Sequence, residues 1–155
     1  MAEVMHMIDS EVFLAFSTYA TIVILKMMFM APLTAFYRFS RMAFANPEDT
    51  GIGKTPEERK KMLRSDVDVE RVRRCHLNDM ENIIPFVLVG LLYSLTGPNL
   101  ASALLYFRVF VGSRFCHTVS YVLPLPQPCR AFSWLAGVVV ILTMAYRVLS
   151  TALYL

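Results

Sequence analysis

The stretch Val69–Phe86, VERVRRCHLNDMENIIPF, leads directly into an apolar run that ends at Leu95. As a helix, it places Arg74, Asn78 and Glu81 at positions i, i+4 and i+7, which lie on one face. The apolar residues alone are too few to cross a bilayer, because a membrane helix needs about 20 residues. A membrane span here must therefore include the polar part, and it carries Glu81 into the membrane. An ionisable residue at that depth is costly and marks a candidate functional site.

The composition of the 155-residue chain is typical of an integral membrane protein. Hydrophobic residues make up 56% and the mean hydropathy is +0.50, well above the values of soluble domains. The length fits a single domain, residues 1–155. The apolar stretches predict an all-α fold, an integral membrane bundle of four helices at about 12–37, 66–95, 100–123 and 130–149, with a loop at 39–68.

The charges predict how this bundle is oriented. Ten of the fifteen Lys and Arg residues lie between Arg38 and Arg74, and no acid follows Glu81. Cytosolic loops of membrane proteins are enriched in Lys and Arg, so we expect the loop at 39–68 to be cytosolic and both termini to lie on the far side. Acids are mixed with these basic residues and no aromatic platform accompanies them, which argues against a nucleic-acid site.

The loop itself contains three signals for helix starts. Asn46-Pro47 and Thr55-Pro56 each combine a capping residue with a proline at the first helical position, and acids follow. Ser65–Asp68 resembles a capping box and predicts the start of the second long helix. The cysteines are three in number and scattered, so the sequence predicts neither a disulfide framework nor a metal site.

Polar residues from separate stretches are expected to converge near the cytosolic face of the bundle. Only one acid, Glu81, is expected among them, and Lys26, inside the first span, must pair across helices or extend towards the interface. His76, Asn78, His117 and Tyr121 are expected at the same depth. The converging cations are five arginines: Arg38, Arg73, Arg74, Arg114 and Arg130.

An anionic ligand would balance this excess of positive charge. A molecule with two carboxylates and one ammonium fits, because arginines bind carboxylates through paired hydrogen bonds and Glu81 can bind the ammonium. Glutathione has this pattern, and an arginine with a tyrosine hydroxyl would lower the pKa of its thiol. Phospholipid headgroups or structural ion pairs also account for the charges, so the charge pattern alone leaves all three interpretations open.

At these residues the chain resembles the membrane-associated eicosanoid and glutathione metabolism (MAPEG) family along essentially its full length. The residues that carry the resemblance are FANPED at 44–49, VERVRR at 69–74, HLND at 76–79, Glu81-Asn82, Tyr93-Ser94-Leu95, His117-Thr118 with Tyr121, and PLPQP at 124–128.

The resemblance implies a homotrimer of four-helix protomers in the endoplasmic reticulum membrane, and in the mitochondrial outer membrane as a further location. Glutathione, as co-substrate, is then bound between protomers near the cytosolic face, without a metal. Arg114 and Tyr121 are expected beside the thiolate as catalytic residues. By matching position, the glutathione-binding residues are Arg38, Arg73, Arg74, His76, Asn78, Glu81, Arg114, Tyr121 and Arg130.

The implied enzyme is a glutathione transferase that joins the thiolate to hydrophobic electrophiles dissolved in the bilayer and also reduces lipid hydroperoxides. Two alternatives stay open: a glutathione-dependent prostaglandin E synthase-like isomerase and a non-catalytic lipid-binding scaffold. The family's prostaglandin synthases carry a serine where this chain has Ala131, which favours the transferase. Thr50 stands where transferase relatives can carry a cysteine, so activation by thiol modification would have to involve Cys75, Cys116 or Cys129.

Overall fold

The computed structural model describes residues 10–153, which are helical apart from short connections. The all-α class is thereby confirmed for the described residues. That all four long helices cross a membrane stays a prediction. In chain order, the elements are α1 (Glu11–Arg41), a 3₁₀ helix (Pro47–Ile52), α2 (Pro56–Met62), α3 (Val67–Leu95), α4 (Leu100–Val122) and α5 (Gln127–Ala152).

The starts of the loop helices follow from side-chain capping. Thr55 caps α2, since its hydroxyl accepts from the backbone N–H of Glu58 and the Glu58 carboxylate accepts from that of Thr55. Helix α3 is capped by Asp66, whose carboxylate accepts from the first-turn N–H groups, so Ser65 is not its capping residue. The 3₁₀ helix after Asn46 begins without a side-chain cap.

Three helix ends differ by three residues or more from the boundaries expected from sequence, and one of them is the end of α5, which lies at Ala152 rather than 149. Helix α1 continues to Arg41 because Met42 adopts a left-handed conformation with φ of 48°, and the carbonyl of Arg38 accepts from the N–H of Ala43 at 3.0 Å. Helix α5 begins already at Gln127. Pro128 lies in its first turn, where a missing backbone N–H costs nothing.

The four long helices pack in the cyclic order α1, α3, α5, α4, and α3 also packs against α4 across the centre. The core between them combines aliphatic side chains with a group of aromatic rings. The rings of Phe86 and Phe110 stack with centroids 3.8 Å apart, and Phe107 meets Phe16 edge-on at 5.7 Å. Gly90 permits this packing, because a Cβ there would lie 2.7 Å from the ring of Phe16.

The outside of the bundle carries a large apolar surface. Phe29, Phe36, Leu142 and Tyr146 are each more than 60% exposed. By length and composition, α1 and α5 are apolar enough to cross a membrane. An apolar surface of this kind needs lipid or a partner chain to cover it.

Candidate functional site

Asp79 is completely buried and lies between two cations that other helices supply. Its Oδ2 accepts from Nζ of Lys26 on α1, while its Oδ1 accepts from Arg114 on α4, at 2.8 Å from Nη2 and 3.3 Å from Nε. The side chains of Asp79 and Arg114 are 0% exposed and that of Lys26 is 6% exposed. We call these three residues the ionic cluster. With all three ionised, it carries one positive charge more than its single carboxylate balances.

Contrary to the expectation from sequence, Glu81 is not the only acid of the converging group. Asp79 is the buried acid, whereas Glu81 is exposed on the described chain. The two residues are separated by about 200° around the helix axis, so they face nearly opposite sides. A signal for Asp79 was present: it interrupts an apolar repeat with spacings of three and four that includes Val72, Cys75 and Phe86. Lys26, inside an apolar span, required a buried acid of this kind as its partner.

Arg114 connects the ionic cluster to two polar residues. Its Nη2 donates to Oδ1 of Asn78 at 2.9 Å and lies 3.0 Å from Nδ1 of His117. A guanidinium can only donate, so this nitrogen of His117 accepts, and a neutral ring then carries its proton on Nε2. The ring of His117 lies 5.0 Å from that of Tyr121, measured between centroids. The predicted residues Asn78, Arg114, His117 and Tyr121 are therefore brought together.

A cavity of about 400 Å³ opens beside these residues. The guanidinium of Arg130 covers the ring of Tyr121 at 4.7 Å and donates to Gln127 at 2.5 Å. Gln127 and Trp134 were not expected at the site. Gln127 lies one turn before Arg130 on the same helix, and this spacing is the signal that could have indicated it. The cavity is lined by Asn78, His117, Tyr121, Gln127, Arg130, Ala131 and Trp134.

Two buried donors at this site have no hydrogen-bond partner among residues 10–153: Nη1 of Arg114 and Nε of Arg130. Both belong to guanidinium groups, and a buried donor without an acceptor is costly. Arg114 contacts two residues of the cavity wall and Arg130 forms part of it. The cavity is therefore suited to an anion that accepts from Arg130, next to the apolar faces of Tyr121 and Trp134, while the buried Arg114 contacts its wall through Asn78 and His117.

Arg38 and Arg73 lie outside this cavity. Arg38 lines a separate cavity of about 280 Å³, which Glu70 also lines. Arg73 pairs with Glu70 through contacts of 3.1 to 3.2 Å, and its side chain is 59% exposed. On the described chain, these two arginines and the 400 Å³ cavity form two distinct regions.

The other predicted residues on α3 face outwards. Arg74 and Glu81 are exposed and His76 is half-buried. No side-chain hydrogen bond joins any of the three to another described residue. The described chain thus assembles part of the predicted set and leaves the remainder on its surface.

The three cysteine thiols and Thr50 differ in their exposure to solvent. Thr50 is buried and its hydroxyl donates to the carbonyl of Pro47 at 2.6 Å. Cys75 is buried, while Cys116 and Cys129 are exposed. Within residues 10–153, no three His, Cys, Asp or Glu side chains are grouped so that they could hold a metal ion.

Comparisons with known proteins agree with the resemblance noted in the sequence. The MAPEG family model matches residues 16–150. The chain is 56% identical to microsomal glutathione S-transferase 1 of Sus scrofa over 155 residues and also 56% identical to that of Homo sapiens, with all of both chains covered. The identity to prostaglandin E synthase of Homo sapiens is 39% over 135 residues, which is 87% of this chain and 86% of that protein.

Proposed function

The chain belongs to the MAPEG family, and from that premise we propose that it is a membrane-bound glutathione transferase that joins the thiolate of glutathione to hydrophobic electrophiles. The full-length similarity to microsomal glutathione S-transferase 1 supports the reaction, and the lower identity to prostaglandin E synthase makes the isomerase the weaker candidate. Ala131 supports the same choice, because it places a methyl group rather than a hydroxyl in the cavity wall.

The observation that carries the proposal is the pair of buried guanidinium donors without partners, Arg114 Nη1 and Arg130 Nε. The thiolate sulfur binds near Arg114 and Tyr121, where the positive charge and the phenol stabilise it relative to the thiol. The enzyme contributes no nucleophile of its own. It raises the reactivity of the bound thiol and holds it beside an electrophile that enters from the bilayer.

The glutathione site is completed by a second protomer. Arg74 and Glu81 are exposed on α3 among exposed apolar residues such as Leu77 and Ile84, a surface that a neighbouring copy would cover. In a homotrimer, Arg38, Arg73, Arg74, His76 and Glu81 of one protomer can join the cavity of another. The Glu81 carboxylate then binds the glutathione ammonium, and the arginines bind its carboxylates.

The same site reduces lipid hydroperoxides. The thiolate attacks the terminal hydroperoxide oxygen and breaks the O–O bond, which leaves an alcohol after proton uptake and the sulfenic acid of glutathione. A second glutathione displaces water from this sulfenic acid and forms glutathione disulfide. The lipid hydroperoxide and the alcohol product remain in the endoplasmic reticulum membrane. Glutathione and glutathione disulfide exchange with the cytosol, to which the site opens.

The proposal is tested by ultraviolet absorbance of the solubilised protein on mixing with glutathione, because the thiolate absorbs and the thiol does not. We expect a thiolate band at neutral pH. In Arg114→Ala, we expect the band to be lost and kcat/KM to fall by about 10²-fold, the scale of removing one donor to a developing anion. Tyr121→Phe tests the phenol separately.

Arg108→Ala is the matched control, since Arg108 lies on the same helix but donates to the hydroxyl of Tyr19 on the exposed surface. It should leave the band unchanged. Glutathione binding without a band in the unmodified protein would contradict the transferase assignment and favour a non-catalytic scaffold. A normal band in folded Arg114→Ala would remove Arg114 from the catalytic role.

A further inference from the structure

Lys26 has no contact with the cavity, but it binds the same carboxylate that compensates the positive charge of Arg114. Asp79 uses Oδ2 for Lys26 and Oδ1 for Arg114, so each cation receives only part of its negative charge. If Lys26 were neutral, Asp79 and Arg114 would form a balanced pair. The charge of Lys26 therefore determines whether the ionic cluster, which contacts Asn78 and His117 through Arg114, is neutral or carries a net positive charge.

From this geometry we infer that Lys26 is a positioning residue which, by sharing Asp79, leaves Arg114 with uncompensated positive charge for the bound thiolate. The inference rests on the proposed function, since it assumes a thiolate in the cavity. The energetic reason is that a charge in a buried environment interacts over a longer range than one in water. All three members are at most 6% exposed, so solvent screens them weakly.

Other ionisable groups around the cluster are few. Cys75 of α3 and His117 of α4 interact electrostatically with members of the cluster, and Arg130 of α5 acts on His117. Among them, Arg130 is the additional permanent charge, and no second carboxylate from the described residues approaches Arg114. Removing the positive charge of Lys26 therefore brings the net charge of the ionic cluster to zero.

The test is the pH titration of the thiolate band of bound glutathione in Lys26→Gln and Lys26→Met. Gln retains a donor for Asp79 without the charge, and Met removes both. We expect the pKa of the bound thiol to rise by about one unit in both variants, which leaves about tenfold less thiolate at low pH. Lys26→Arg retains the charge and should titrate like the unmodified protein.

The double variant Lys26→Met with Asp79→Asn separates charge from structure. It removes one positive and one negative charge, so the excess of one positive charge returns. We expect the thiol pKa to move back towards the unmodified value. A merely structural role for Lys26 predicts instead that the double variant titrates no better than Lys26→Met.

Lys54→Met, which removes the same charge from the exposed loop, is the control and should not shift the titration. A thiolate band in the unmodified protein with an unshifted titration in folded Lys26→Gln would overturn the inference. Absence of any band in the unmodified protein would instead overturn the proposed function. The two failures are therefore distinguishable.

Discussion

The same three helices, α1, α3 and α4, build two interiors of opposite character. In one, Phe16, Phe86 and Phe107 pack ring against ring. In the other, the ionic cluster places three charges where they are almost completely shielded from solvent. Aromatic packing supplies stability directly, whereas buried ion pairs often contribute less than the apolar residues that would fill the same space. From this difference we expect the ionic cluster to contribute mainly charge and the aromatic core mainly stability.

The largest effect is expected from Asp79→Ala, which leaves Lys26 and Arg114 buried without a carboxylate. We expect a loss of about 3 to 5 kcal/mol in the free energy of unfolding, the cost of an uncompensated buried charge. Denaturation with SDS in mixed micelles measures it. Asp49→Ala, in the exposed 3₁₀ helix, is the control and should change little. A loss below about 1 kcal/mol for Asp79→Ala would mean that the cluster is not buried in the native protein.

Replacing the whole ionic cluster by apolar residues of similar size should act in the opposite direction. For Lys26→Met, Asp79→Leu and Arg114→Met combined, we expect unfolding free energy to be unchanged or to increase by about 1 to 4 kcal/mol. The thiolate band should nevertheless be absent. The same SDS denaturation, paired with the absorbance measurement, checks both. A destabilised triple variant would show that the cluster does serve stability, as the aromatic core does.

The smallest effect is expected on the aromatic side, from Gly90→Ala. The added Cβ would lie 2.7 Å from the ring of Phe16. Overpacking costs about 1 to 3 kcal/mol and the gain in helix propensity returns up to about 1 kcal/mol, so we expect a net loss of about 1 kcal/mol. Gly112→Ala, with no atom near its added Cβ, should be neutral or stabilising. Equal effects at both glycines would mean that Phe16 adapts freely.

Much of the fold could be predicted from local sequence, whereas the side chains that pair across helices in the site could not. Thr55 and Glu58 specify the start of α2 with contacts three residues apart, which sequence spacing reveals. Lys26 and Asp79 are 53 residues apart, and their pairing depends on how α1 and α3 are rotated against each other. Asp79 was missed as the buried acid for this reason, because a helical face shifts by about 100° for every residue and Asp79 faces away from Glu81.

The residues that were expected to converge at the site also differ in this way, because some contact each other within one helix and others only between helices. Arg114, His117 and Tyr121 share one helix at spacings of three and four, so their proximity followed from helical geometry alone. Arg130 reaches Tyr121 from another helix, and Arg38 and Arg73 lie in another region of the chain. In the proposed homotrimer these regions would meet through contacts between chains, which helical periodicity does not specify.

The pairing of Lys26 with Asp79 also affects the order in which the protein is made. The first long helix emerges from the ribosome with its lysine, and the carboxylate that pairs with it follows 53 residues later. At about 5 to 20 residues per second, translation leaves that lysine without its partner for about 3 to 10 seconds. An unpaired lysine at the centre of a membrane helix costs about 3 kcal/mol during insertion. If α1 spans the membrane, we therefore expect it to reach its final depth only after the helix that carries Asp79 has been made.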